Sequence, residues 1–177
     1  MNTPTGKLTY AGRMVDLLRP DPEQIELIDI AHALARITRF TGHGDQCFTV
    51  AQHSVMVHDL ARVPWALLHD AAEAYIGDVS SPLKVALRTL AFTSALSDFD
   101  IIENNWQHAV SIRFGVPIVD VHAADRLALW DEASANGPHS CEAYAWPIVV
   151  RDPPLAVWST ELAEFKFLQR AKELGFK

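Results

Sequence analysis

The residues whose types and spacing could do chemistry are concentrated in Leu67–Lys84, LLHDAAEAYIGDVSSPLK. His69 and Asp70 are adjacent, Glu73 follows, and then come Gly77, Asp78, Pro82 and Lys84. Residues three and four apart share a helix face, so Glu73 falls beside both Asp70 and His69. Buried, such a group needs partners. A metal ion would supply one; surface salt bridges are the plain alternative. Two further residues extend the constellation. His53 lies in the first turn of a helix, on a face with Val57, where the ordinary reading is a satisfied core histidine. Asp125 sits inside an apolar helix and needs Arg126, another arginine or a metal; His122 is a rival ligand, and Asp120 reads as an N-terminal cap. Two imidazoles and two carboxylates suit a divalent transition ion with positions left open for water.

The elements that must position these groups read as helices. Residues 1–24 carry turn formers and two close prolines, Pro20 and Pro22, which point to an extended arm or short hairpin and then a turn. Ile25–Arg39 reads as the first helix, with Ile28, Ala31, Leu34 and Ala35 at helical spacing. Arg39 and Phe40 open a glycine-rich loop. They are either a dipole-compensating cation and a core ring, or a phosphate clamp and a base-stacking ring. Thr49 and Gln52 form a capping-box pattern for a helix running to about Arg62. His58 is expected to be exposed. Pro64 opens the helix carrying His69, Asp70 and Glu73, and Gly77 stops it. The turn Val79–Lys84 opens another helix at a candidate anion site. Further helices are expected over 98–114, with His108 and Arg113 on the surface, over 118–136, and over 159–174, with Leu162, Phe165 and Leu168 as the apolar stripe of the last. A proline-rich connector precedes the last helix. Facing helices of a bundle can point such ligands inward.

Composition narrows the function. A chain of 177 residues with 49% apolar content holds one domain with a proper core. The net charge of −7 argues against a nucleic-acid polymer as partner. No apolar run approaches a membrane span, so no membrane partner is expected. MNTPTGKLTY lacks the apolar core of a signal peptide, and Cys47 and Cys141 lack metal-ligand spacing; a cytoplasmic location with free thiols is the expectation.

The order His53…His69-Asp70…Asp125 resembles the HD superfamily of metal-dependent phosphohydrolases. The nearest likeness is to small bacterial and phage members acting on deoxynucleotides, the 5′-deoxynucleotidases and the deoxyadenosine-triphosphate triphosphohydrolases. ITRFTGH (37–43), VAQHS (50–54), 68–80 and AADRL (123–127) carry it, and it spans roughly residues 25–135. The resemblance implies an all-α, single-domain bundle with a short N-terminal arm or hairpin: arm 1–24, metal-site core 25–135, connector and helix 136–177. It implies His53, His69, Asp70 and Asp125 as ligands of a divalent ion (cobalt, manganese, zinc, iron or magnesium). Glu73 and Asp78 fall at catalytic acidic positions, and Arg39, Phe40 and Lys84 at substrate-binding ones. Position 40 is often tryptophan in that subgroup. The substrate would be a small deoxynucleotide, mono- or triphosphate, in a pocket between Arg39-Phe40 and Asp78–Lys84. Homo-oligomers are implied too, with helix faces around Trp106 and Phe165 as candidate contacts. Other HD chemistry (cyclic-nucleotide hydrolysis or a di-iron oxygenase) and a non-enzymatic nucleotide sensor are the alternatives. Residues beyond 136 carry no functional match.

Overall fold

The computed structural model describes residues 4–90 and 97–177, without the side chains of 138–140. The arm is a hairpin: β1 (Gly6–Leu8) pairs antiparallel with β2 (Met14–Asp16), Lys7 opposite Val15. Residues 1–3 of the expected arm lie outside the described residues. Val15 enters the core, Ala11 N–H donates to the buried Asp29 carboxylate, and Lys7 Nζ reaches the Tyr75 carbonyl at 2.7 Å. The other named elements among the described residues are helices, and the fold is all-α apart from this small sheet.

Helix α1 (Leu27–Leu34) is shorter than the expected 25–39. Its continuation is taken by a backbone pairing. Val50 N–H donates to the Ile37 carbonyl, Arg39 N–H donates to the Phe48 carbonyl, and Thr38 bridges Thr49. The β-branched Ile37 and Thr38 suit that extended path. Ile28 is exposed, and Ile30 takes the core place expected for it.

Helix α2 (Val50–Ala61) is the central element. It packs on α3 (Trp65–Leu68), α7 (His122–Ala135) and α9 (Thr160–Glu173). The Thr49 hydroxyl accepts from Gln52 N–H, as the capping pattern requires. The Gln52 side chain does not reach back. It donates to the Ala156 carbonyl and accepts from Trp158 N–H, pinning the proline-rich connector to the first turn of α2. His58 is buried, not exposed as expected; its Nδ1 accepts from Arg170 on α9, which also pairs with Asp59.

The helix expected from Pro64 to Gly77 is two short ones, α3 and α4 (Glu73–Ile76). Between them the chain stays right-handed but winds with i→i+3 bonds, Ala71 to Leu68 and Glu73 to Asp70. Gly77, at φ 84° and ψ 158°, ends the turn in a conformation other residues avoid. Helix α5 (Ser81–Leu90) has no buried residue and is tied to α6 (Asp98–Phe114) by Lys84–Glu103 and Arg88–Asp100. Helix α6 runs as the spacing predicts, capped by a Ser97/Asp100 box and stopped at Gly115. Arg113, read as a surface residue, is half-buried and donates to the Ile25 carbonyl.

Helix α7 is followed by α8 (Pro138–Tyr144) and the connector. Ser159 caps α9. The stripe α9 buries is Ala163, Phe167 and Ala171, whereas Phe165 is exposed and Leu162 largely so. The small alanines let α9 lie close to α1 and α2. Trp106 is fully buried, stacked on Tyr75 at 4.1 Å with its indole N–H on the Leu17 carbonyl, so it offers no contact to a second copy.

Candidate metal centre

His53 comes from the first turn of α2, His69 and Asp70 from the tight winding between α3 and α4, and Asp125 from the first turn of α7. The fold brings all four to one place. His53 Nε2 lies 3.0 Å from Asp125 Oδ1 and 3.8 Å from Asp70 Oδ2, and His69 Nε2 lies 3.2 Å from Asp70 Oδ2. One ligand atom each from His53, His69 and Asp125 falls within a mutual 4.8 Å, so these three could hold a metal ion. Asp70 stands against both imidazoles.

The rings are aimed by their other nitrogens. His69 Nδ1 donates to the Ala66 carbonyl at 2.8 Å. That bond exists because the chain between α3 and α4 remains right-handed, placing Ala66 one turn back. It puts the proton on Nδ1 and leaves the Nε2 lone pair free. Buried, Nε2 has no hydrogen-bond partner among the described residues. His53 Nδ1 meets Glu132 Oε1 at 3.0 Å. Both histidines thus have the outer hydrogen bond that metal-ligating imidazoles make, and the donor set fits a divalent ion.

Glu132 was not found by the sequence reading. It lies on α7 seven residues after Asp125, two turns on and therefore on the same face. That spacing was the available signal. Its carboxylate is fully buried and also accepts from Arg39 Nε at 3.1 Å.

Burial and Arg39 push the His53 pKa down, but Glu132 and Asp125 outweigh them and carry it up to about 9. Burial raises Asp70, Asp125 and Glu132, yet the neighbouring imidazoles, with Arg39 beside Asp70 and Glu132, hold all three below the usual carboxylate range. Glu73 goes the other way. It is buried, with Oε2 unpartnered among the described residues; burial first, then the charges of Asp70 and Asp78, push it up to about 10. Asp78, half-buried just past Gly77, is raised by burial as well.

A pocket of about 580 Å³ adjoins the centre, with His69, Asp70, Lys84, Arg88, Glu103 and Asp125 on its wall. That volume suits a small molecule. It lies on the α5–α6 side, and Arg39, Phe40, Glu73 and Asp78 are not on its wall. Lys84 is there, but its ammonium is paired with Glu103. Arg88, not singled out in the sequence, lines the pocket while clamped by Asp100. Arg39 is a little-exposed neighbour of the centre, its Nε given to Glu132. Phe40 is half-buried 6.0 Å from the Arg39 guanidinium, and Phe40 and Thr41 both hold left-handed backbone angles. His122 is exposed on the pocket wall and outside the three-residue cluster. Arg126 faces the Trp130 ring, so His53, not Arg126, partners Asp125.

No family model matches the chain. An uncharacterized protein of Rhodobacter capsulatus is 39% identical over 121 residues, 62% of this chain, and the match spans 58% of that relative's length. The uncharacterized protein YfdR of Escherichia coli is 30% identical over 147 residues, 80% of this chain and 76% of YfdR. At that identity and coverage, the chain belongs to the same family as YfdR.

Proposed function

We propose that this protein is a metal-dependent phosphohydrolase of the HD type acting on small deoxynucleotides. One observation carries the reading: both imidazoles have Nδ1 engaged by an acceptor and turn Nε2 toward the carboxylates of Asp125 and Asp70. The order of these four residues along the chain, which resembles that superfamily, supports it. So does the adjoining pocket with its two cations, Lys84 and Arg88.

His53 and His69 would hold the ion through Nε2, and Asp125 and Asp70 through carboxylate oxygens; imidazole with carboxylate suits manganese, iron, cobalt or zinc. When bound, such an ion lowers the pKa of a coordinated water toward neutrality and polarises a phosphoryl oxygen. The chain's own residues do the rest. Lys84 and Arg88 attract and orient the phosphate from α5. Glu73, whose pKa burial and the charges of Asp70 and Asp78 raise, exchanges the proton, taking it up as the water attacks and giving it to the leaving oxygen. Asp78, behind the Gly77 turn and off the pocket wall, acts on the site through its charge on Glu73.

The test is a screen of deoxy- and ribonucleotide mono- and triphosphates with each metal, reading phosphate, pyrophosphate and triphosphate separately. Metal-dependent release that Asp125→Asn abolishes is expected. Absence of release from every nucleotide with every metal would remove the proposal.

A further inference from the structure

Glu132 has the geometry of a residue that acts through others. Its two carboxylate oxygens are divided between two partners: Oε1 faces His53 Nδ1 at 3.0 Å, and Oε2 accepts from Arg39 Nε at 3.1 Å. It is fully buried, as is His53. A buried carboxylate is costly and persists only where its partners offset the desolvation. Here one partner is a metal-ligand candidate, and the other is the arginine the sequence reading set aside for phosphate.

Resting on the metal-centre reading above, we propose that Glu132 is the positioning residue of that centre. It holds the proton of His53 on Nδ1, aims Nε2 at the ion, and is itself held in orientation by the Arg39 Nε–H. The chain of contacts runs Arg39–Glu132–His53. Its effect on the ion is one of tautomer and orientation, the role that outer carboxylates play behind metal-ligating histidines.

Glutamine cannot do this. Its amide accepts on one side and donates on the other. If the oxygen of the replacement amide faces His53, the amide nitrogen is pressed against the Arg39 guanidinium. If the amide turns over, its N–H faces Nδ1 and forces the His53 proton onto Nε2, the ligating atom. Either arrangement loses one of the two contacts.

The bland alternative is that Glu132 merely neutralises a buried arginine. Two variants separate the readings: Glu132→Gln, and the double replacement Arg39→Met with Glu132→Met, which removes the buried pair together and can restore the fold. Mn²⁺ and Zn²⁺ affinities are measured by competition with a chromophoric chelator, alongside a thermal melt and the ¹⁵N shifts of the His53 ring in the Zn²⁺-loaded protein. The expectation is a 10- to 100-fold loss of affinity in both variants, including a double variant whose melt matches wild type, with the His53 Nδ1 tautomer no longer dominant. Wild-type affinity in the folded double variant overturns the proposal. Should that variant fail to fold, wild-type affinity in Glu132→Gln overturns it equally. A wild-type protein that binds neither metal removes the metal-centre reading and this one together; a wild-type protein that binds metal, with variants unchanged, removes only this one.

Discussion

Lys84 Nζ donates to Glu103 Oε1 at 2.7 Å, and both residues form the wall of the pocket beside the candidate metal centre. The lysine best placed to meet a phosphate is therefore already paired. Glu103→Gln removes the competing carboxylate and raises the local potential. KM for a nucleotide should fall several-fold with little change in kcat, whereas Lys84→Met should raise it. Steady-state kinetics at low and high salt check this, and the Glu103→Gln gain should shrink as salt rises. An unchanged KM in both variants would place the substrate elsewhere.

His69→Ala removes one of the three converging ligands and opens the buried space behind the Ala66 carbonyl. Bound metal should drop to trace levels in elemental analysis of the purified variant, with activity lost in parallel. Asp70→Ala tests the fourth group. It lies against both imidazoles, and its loss should lower metal content too. Full occupancy in both variants would contradict the centre.

Glu73→Gln keeps the size of the side chain but cannot exchange a proton. Metal content should stay at the wild-type level, and kcat should fall by about 10²–10⁴. Loss of metal instead would make Glu73 a ligand.

Asp100 supplies the pH prediction. Hydrogen bonds from Arg88, then from Ser97, hold its carboxyl well below the usual range. A depressed folded pKa contributes stability that is complete above the unfolded value of 3.8 and is lost as pH falls through the lower folded value. Asp100→Asn lacks that contribution. Its Tm deficit should be constant above about pH 5 and close as the solution is acidified below the unfolded value. A deficit that widens in acid would reverse the sign.

Thr41 holds φ 53° directly after Phe40 at φ 56°. A β-branched residue is strained there, by about 1–2 kcal/mol. Thr41 is exposed, so Thr41→Asn, which tolerates this region, should stabilise the protein by about 1 kcal/mol in denaturant titration. No gain would mean the surrounding loop determines the conformation at no cost to this residue.

What the sequence by itself determined was local or strictly periodic. The 98–114 helix follows from its apolar spacing and the α2 start from Thr49, because those signals act within a few turns of chain. His53, His69 and Asp125 stand out because ionisable groups inside apolar helices need partners, and the fold brings those three together. Tertiary structure decided what depends on distant chain. Helix α1 stops early because residues 37–39 pair with 48–50, a competition that periodicity cannot express. Helix α9 turns Ala163, Phe167 and Ala171 inward rather than Leu162 and Phe165, because the face it buries is set by its packing on α1 and α2. Glu132 could be placed on Asp125's face by counting, but its division between His53 and Arg39 spans 79 and 93 residues. Local spacing can put a carboxylate on the right side of a helix; only the packing of α7 against α2 chooses which imidazole and which guanidinium it holds.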